Sequence, residues 1–208
     1  MMRKILMCVL PTALAACAGA PQVTPEPPGV ASAARAERPD VKVGDEWKFA
    51  CGWHNERLWV VTSVDQTGIK ATENGKPLLL TPDLNVLESP RRKDTDNQWL
   101  SFPLEVGKQW TADNNWQMCE FSGPEKVQVK VVDYEKVTVP AGQFDAFRLE
   151  ITTSWTNETV RDSGANSGTY WYAPAARAIV KFNYKSSGCN SVCCASDACE
   201  LVQSRLQP

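Results

Sequence analysis

The sequence predicts an all-β fold, a curled antiparallel sheet or half-open barrel, held as a single domain behind a disordered tether. Three observations predict it. Val127, Val129 and Val131 alternate with Gln128 and Lys130. Phe147, Leu149 and Ile151 alternate with Arg148, Glu150 and Thr152. Such alternation gives a strand one buried and one wet face. Short apolar runs also recur at 59–64, 99–102, 169–172 and 179–184, with turn chemistry between them. Many short strands at this spacing suit an antiparallel sheet that curls or closes. No helix-period pattern exceeds two turns.

The amino terminus is not part of that domain. Met1-Met2-Arg3-Lys4 opens a positive segment, and an apolar run follows from Ile5 to Ala16, twelve positions long. A bilayer span needs about 20 apolar residues, so this run reads as the core of a signal peptide. It ends in Leu14-Ala15-Ala16-Cys17. That tetrad resembles the lipobox of bacterial lipoproteins. The resemblance implies removal of residues 1–16, a diacylglyceryl group on the Cys17 sulfur and an acyl chain such as palmitate on its new amine. Two or more chains anchor a protein firmly where one does not. Ala18 follows, not aspartate, which resembles the pattern sorted to the outer membrane and implies a domain facing the periplasm.

Residues 17–40 form the lipidated cysteine and its tether. Pro21, Pro25, Pro27, Pro28 and Pro39 stand among alanines with little to bury. Such a segment cannot offset the entropy of ordering, and its prolines keep it extended. Residues 41–208 remain, a normal length for one domain with a real core. Without Arg3 and Lys4 the chain has 20 basic against 24 acidic residues, a net charge of −4. Nucleic acid wants a basic stripe, so no nucleic-acid partner is expected. The one basic run, Arg91-Arg92-Lys93, reads as a solvated loop.

Turn chemistry separates the strands. Asn74-Gly75 is the favoured pair for a tight hairpin. Val139-Pro140-Ala141-Gly142 fits a type I turn. Residues 162–168 read as a polar, glycine-bearing loop. Val43-Gly44-Asp45-Glu46-Trp47 is echoed by Val106-Gly107-Lys108-Gln109-Trp110, each predicting a turn glycine that feeds a strand. The stretch from Val139 to Phe147, together with Tyr170-Trp171-Tyr172-Ala173-Pro174, resembles a strand–turn–strand pattern of uncharacterised exported bacterial β-rich domains. Some of those look like half-barrels that present lipophilic cargo. The resemblance implies a fold, and no catalytic motif comes with it.

Six cysteines remain in the mature domain: Cys51, Cys119, Cys189, Cys193, Cys194 and Cys199. An even number in an exported chain predicts disulfides. A bond between neighbours Cys193 and Cys194 would be strained. The local scheme therefore joins 189–193 with 194–199, or 189–194 with 193–199, and leaves Cys51 to Cys119. Crossed pairings to the tail are the alternative. Zinc would want paired C-x2-C knuckles, which are missing, so no metal and no cofactor is expected.

His54 is the only histidine, so any Ser–His–Asp or Cys–His device must use it. No nucleophile elbow, P-loop or dinucleotide fingerprint occurs. The pairs Asp94/Asp96 and Asp133/Glu135 lie in polar stretches and read as solvated. An enzyme is not expected. Of eight tryptophans, Trp53, Trp59, Trp99, Trp116, Trp155 and Trp171 could line a groove for an acyl chain, glycan or peptide. Alternatively, the tryptophans fill the core of the curled sheet. The sequence thus points to a membrane-anchored, non-catalytic lipoprotein that binds a lipophilic or glycan ligand or an envelope protein. The alternative is an accessory subunit of an envelope assembly with no small ligand.

Overall fold

The computed structural model describes residues 34–52, 55–187 and 197–208. Strands dominate them. They are β1 (Arg35–Ala36), β2 (Glu46–Cys51), β3 (Asn55–Asp65), β4 (Gly68–Glu73), β5 (Lys76–Leu80), β6 (Val86–Glu88) and β7 (Arg92–Asp94). There follow β8 (Leu104–Glu105), β9 (Gln109–Met118), β10 (Phe121–Val139), β11 (Gly142–Asn157), β12 (Asp162–Ala173), β13 (Ala178–Ser187) and β14 (Asp197–Arg205). The one helical element among the described residues is a 3-10 turn, Pro174–Ala176.

Twelve strands close into an antiparallel barrel, in the order β10-β11-β12-β13-β14-β2-β3-β4-β5-β6-β7-β9. The all-β expectation holds. The half-open barrel does not, because β14 pairs β2 and β7 pairs β9, which leaves no open edge in the ring. Closure is the complete solution to unpaired edge groups, and it depends on long-range pairing that local periodicity does not reveal. Strands β1 and β8 form a separate two-stranded ribbon.

The predicted alternation builds the long walls. In β10, Val127, Val129 and Val131 are buried while Gln128 and Lys130 are exposed. Across the ladder, Val129 faces Ile151 and Val131 faces Leu149. Asn74 and Gly75 take φ values of 51° and 78°, as the tight hairpin between β4 and β5 demands. Pro140 and Ala141 turn β10 into β11 with Val139 opposite Gly142.

Two assignments are corrected. Residues 162–168 are not a loop but the first half of β12. The glycines that suggested a loop mark close approach. A Cβ on Gly164 would lie 2.4 Å from the Trp155 ring, and one on Gly168 would lie 2.9 Å from the Tyr170 ring. Residues 99–102 form no strand, although Leu100 is buried. There the backbone N–H of Leu100 donates to Asn85 Oδ1 at 2.8 Å and its carbonyl accepts from Asn85 Nδ2 at 2.9 Å. Asn85 thus takes the place of a strand partner. The ordered fold also starts before residue 41. Ala36 is buried, pairs Leu104 and packs in the core.

The internal echo is a shared piece of backbone. Gly44 (φ 89°) donates to the Val61 carbonyl, and Gly107 (φ 93°) donates to the Val131 carbonyl, both at 2.9 Å. The Val61 N–H returns to Asp45 O at 3.0 Å, and the Val131 N–H returns to Lys108 O at 2.9 Å. A register shift follows each valine, at Val61/Ser63 and at Val131/Asp133. The two turns are equivalent corners of the barrel.

The seam between the first and last barrel strands carries a disulfide. Cys51 stands opposite Cys199 on β2 and β14, with Cα atoms 4.0 Å apart, and the two are bonded. This corrects the local scheme. Cys51 does not pair with Cys119, and Cys199 does not pair with Cys193 or Cys194. Chain ends that meet in one ladder bring together cysteines 148 residues apart. Cys119 is exposed and has no partner among the described residues. Cys17, Cys189, Cys193 and Cys194 lie outside them.

Candidate functional site

The barrel has one filled end and one hollow end. At the filled end Trp47, Val61, Leu78, Leu80, Val180 and Leu201 are each no more than 1% exposed. The Trp47 indole N–H donates to the Ala176 carbonyl at 2.7 Å, so the 3-10 turn is pinned across that end. Arg177, just beyond it, reaches the fully buried Asp45 at 3.1 Å.

Towards the other end, where β2, β6, β9, β11 and β13 finish, the interior opens into a cavity of about 650 Å³. That lies within the range of roughly 300–1,000 Å³ typical of small-molecule sites. An eight-stranded barrel has an interior that side chains just fill, and added strands leave space. Trp59, Trp99, Trp116 and Trp155 line the cavity. Trp47 lines its floor. Trp171 does not line it. Its indole N–H donates to Glu135 at 2.8 Å on the outer wall, where Lys181 stands 5.8 Å from the ring centroid. It falls between Tyr170 and Tyr172, which face inward, so alternation turns it out. Trp53 and His54 lie outside the described residues.

The aromatics are placed in pairs. Phe49 and Trp59 meet edge to face at 5.7 Å, and Trp116 and Trp155 at 6.4 Å. Trp99 leans on Tyr170 at 5.2 Å. Burial pushes Tyr170 and Tyr184 above the ordinary tyrosine range, so both stay neutral phenols. The indole N–H groups of Trp99 and Trp116 are buried without an acceptor among the described residues.

One wall is charged. Arg92 contacts Asp94 at 2.7 Å and Glu125 at 2.6 Å. The side chains of Asp94 and Glu125 are 1% and 2% exposed. Asn114 completes the cluster, donating to Asp94 at 2.6 Å and to Glu125 at 3.0 Å. Its own carbonyl oxygen accepts from the Thr95 N–H at 3.0 Å. Burial opposes the charge on Arg92, but the two carboxylates outweigh it and hold the guanidinium above its usual pKa. This corrects the reading of Arg92 and Asp94 as solvated, while Arg91 and Lys93 are exposed as expected. In β7, Arg92 and Asp94 face in and Lys93 faces out. Glu125 extends the inward row of Val127, Val129 and Val131 by one step. A carboxylate on an inward row was the signal available in the sequence. Asp133 and Glu135 do lie on the outer wall, around Arg148.

That outer wall carries Lys126, Lys130, Glu150, Lys181 and Glu200 on the long strands. A barrel that crosses a membrane shows lipid an apolar band instead. Here the apolar face is inside.

No protein-family model matches the chain, and no curated relative does. Solved structures match it in shape. A candidate lipoprotein of Parabacteroides distasonis ATCC 8503 aligns over 82% of this chain and 99% of its own, at TM-score 0.53 and 13% identity. A candidate exported protein of Bacteroides fragilis NCTC 9343, described as having a YmcC-like fold, aligns over the same shares at TM-score 0.51 and 13% identity. The hypothetical lipoprotein YmcC of Escherichia coli aligns over 76% of this chain and 83% of its own, at TM-score 0.48 and 11% identity. The first two show the fold. The resemblance to exported bacterial β-rich domains, read from residues 139–147 and 170–174, therefore holds at the level of architecture.

Proposed function

We propose that this chain is a non-catalytic lipoprotein of the bacterial envelope whose barrel holds a ligand with a large apolar body. The observation that carries this reading is the interior cavity of about 650 Å³, walled by Trp59, Trp99, Trp116 and Trp155. A closed barrel with a polar exterior and an aromatic hollow suits carriage of an amphiphile better than a scaffold, which would want a filled core and a free edge. The anchor is Cys17, after cleavage of residues 1–16. Ala18 supports the outer membrane, with the barrel facing the periplasm. The names of the two structures that share the fold agree with an exported lipoprotein.

Native mass spectrometry of the full chain, stripped of co-purifying lipid and incubated with envelope lipid extract, tests the ligand reading. One lipid per chain is expected, and Thr153→Trp, which fills the hollow, should abolish it. A chain that stays empty overturns the reading. Loss of palmitate labelling in Cys17→Ala tests the anchor separately.

A further inference from the structure

Within the buried Arg92 cluster on the cavity wall, charge is not balanced. Asp94 and Glu125 bring two negative charges to one arginine. Of the other arginines lining the cavity, Arg57 holds Asp197 at 2.9 Å and Arg177 holds Asp45 at 3.1 Å, while Arg91 is exposed to solvent and makes no ion pair among the described residues. Glu125 Oε2 accepts from both Arg92 and Asn114. Glu125 Oε1 accepts nothing among the described residues, although the side chain is 98% buried and stands on the cavity wall. That oxygen is still open to the cavity, and a ligand that displaced the solvent there without offering a donor would leave it unpaired at a cost. Directly across the ladder from Glu125 stand Asn114 and Trp155. Below it the wall turns apolar, through Val127 and Ile151 to Phe182.

We propose that the cavity takes a single-chain amphiphile with a cationic nitrogen head, its ammonium group on Glu125 Oε1 beside Trp155 and its tail towards Ile151 and Phe182. This rests on the ligand-binding reading above. An ammonium N–H supplies the donor that Oε1 lacks and neutralises the surplus charge. Indole faces attract cations in the same way. An anionic head would add a second unbalanced charge beside two carboxylates.

The test uses the full chain and three probes with one twelve-carbon tail: dodecylammonium, laurate and dodecyl maltoside, each below its micelle concentration. Tryptophan fluorescence follows binding, and native mass spectrometry counts the ligand. Dodecylammonium should bind at least about tenfold more tightly than laurate, the factor one charge-assisted contact is worth. Glu125→Gln keeps the shape and the Asn114 and Arg92 contacts, and should lower dodecylammonium affinity about tenfold with maltoside unchanged. Unchanged maltoside binding also certifies that this variant is folded. If Glu125→Gln fails that check, Asn166→Asp, which adds a carboxylate to the cavity wall, should tighten dodecylammonium binding instead. Equal binding of all three probes, or tighter binding of laurate, overturns the cationic head and leaves the ligand-binding reading standing. Binding of none overturns both.

Discussion

Removing the Cys51–Cys199 bond should be the most damaging change that leaves every strand intact. The bond closes a loop of 148 residues. In the chain-entropy account the loss of that cross-link costs about 5 kcal/mol at 25 °C. The perturbation is the double variant Cys51→Ala/Cys199→Ala, which leaves no lone buried thiol. Both side chains face the interior, at 7% and 2% exposure. Losing two sulfurs from the wall adds to the entropic term, while residual structure in the unfolded chain subtracts from it. A net loss of about 3–5 kcal/mol is expected, against a total of roughly 5–15 for an ordinary domain. Urea unfolding followed by tryptophan fluorescence should show a lower midpoint and a steeper slope, because the unfolded chain exposes more surface once the cross-link is gone. Peptide mapping of the parent protein should recover Cys51 joined to Cys199. A loss below about 1 kcal/mol, or a map that joins Cys51 to Cys119, would refute the argument that this bond holds the seam.

Other changes follow from the interior wall. Gly164→Val should lower stability by about 3 kcal/mol or block folding, since its Cβ would meet the Ser187 carbonyl oxygen at 2.4 Å, as well as the Trp155 ring. Circular dichroism melts read this directly. Arg92→Met should cost about 2–3 kcal/mol, somewhat under the 3–5 of a fully buried pair because 29% of its side chain is exposed. Adding Glu125→Gln to Arg92→Met should recover part of that loss in denaturant melts, and a further fall instead would contradict the surplus-charge account. Tyr170, Tyr172 and Tyr184 all titrate above the ordinary range because burial disfavours the phenolate. The stability they contribute is therefore full below about pH 10 and is lost as pH rises through their raised values. Their tyrosinate absorbance should appear together with loss of the folded circular dichroism signal, not before it.

The valine ladder of β10 and the Phe147–Ile151 run of β11 could be read from period alone, because each wall there has a dry side and a wet side. The hollow end could not. Its inward row runs through Gly164, Asn166 and Gly168 on β12 and through Glu125 on β10, none of which looks like core. An inward row that borders empty space loses its apolar signature, so the pattern that marks a strand fades where the site begins. Trp59, Trp99, Trp116 and Trp155 were legible as a group, while Trp171 differs from its neighbours only in parity. The local cysteine scheme failed, and a crossed pairing to the tail took its place, for another reason. Sequence distance sets loop entropy but says nothing about which strands share a ladder, and the bond formed where the first and last barrel strands meet.

The two echoed corners bear on why only one end is hollow. Gly44 and Gly107 set equivalent turns at the filled end, each tied back to a valine before a bulge. The tryptophans that follow are equivalent in sequence but are tied to different groups: Trp47 to Ala176 and Trp110 to Gln98, both at 2.7 Å. The filled end thus has specific anchors from separate parts of the chain. The hollow end has the reverse. Gly164 and Gly168 contribute no side chain, which lets the Trp155 and Tyr170 rings lie close to the β12 backbone. A twelve-stranded ring is too wide for side chains to fill unless bulk is directed at its axis. This sequence directs bulk there at one end and withdraws it at the other. Two buried carboxylates on that second wall would be a liability in an empty interior. On the cationic-ligand reading proposed above, they become useful once something positively charged enters, and the space is a site and not a packing defect.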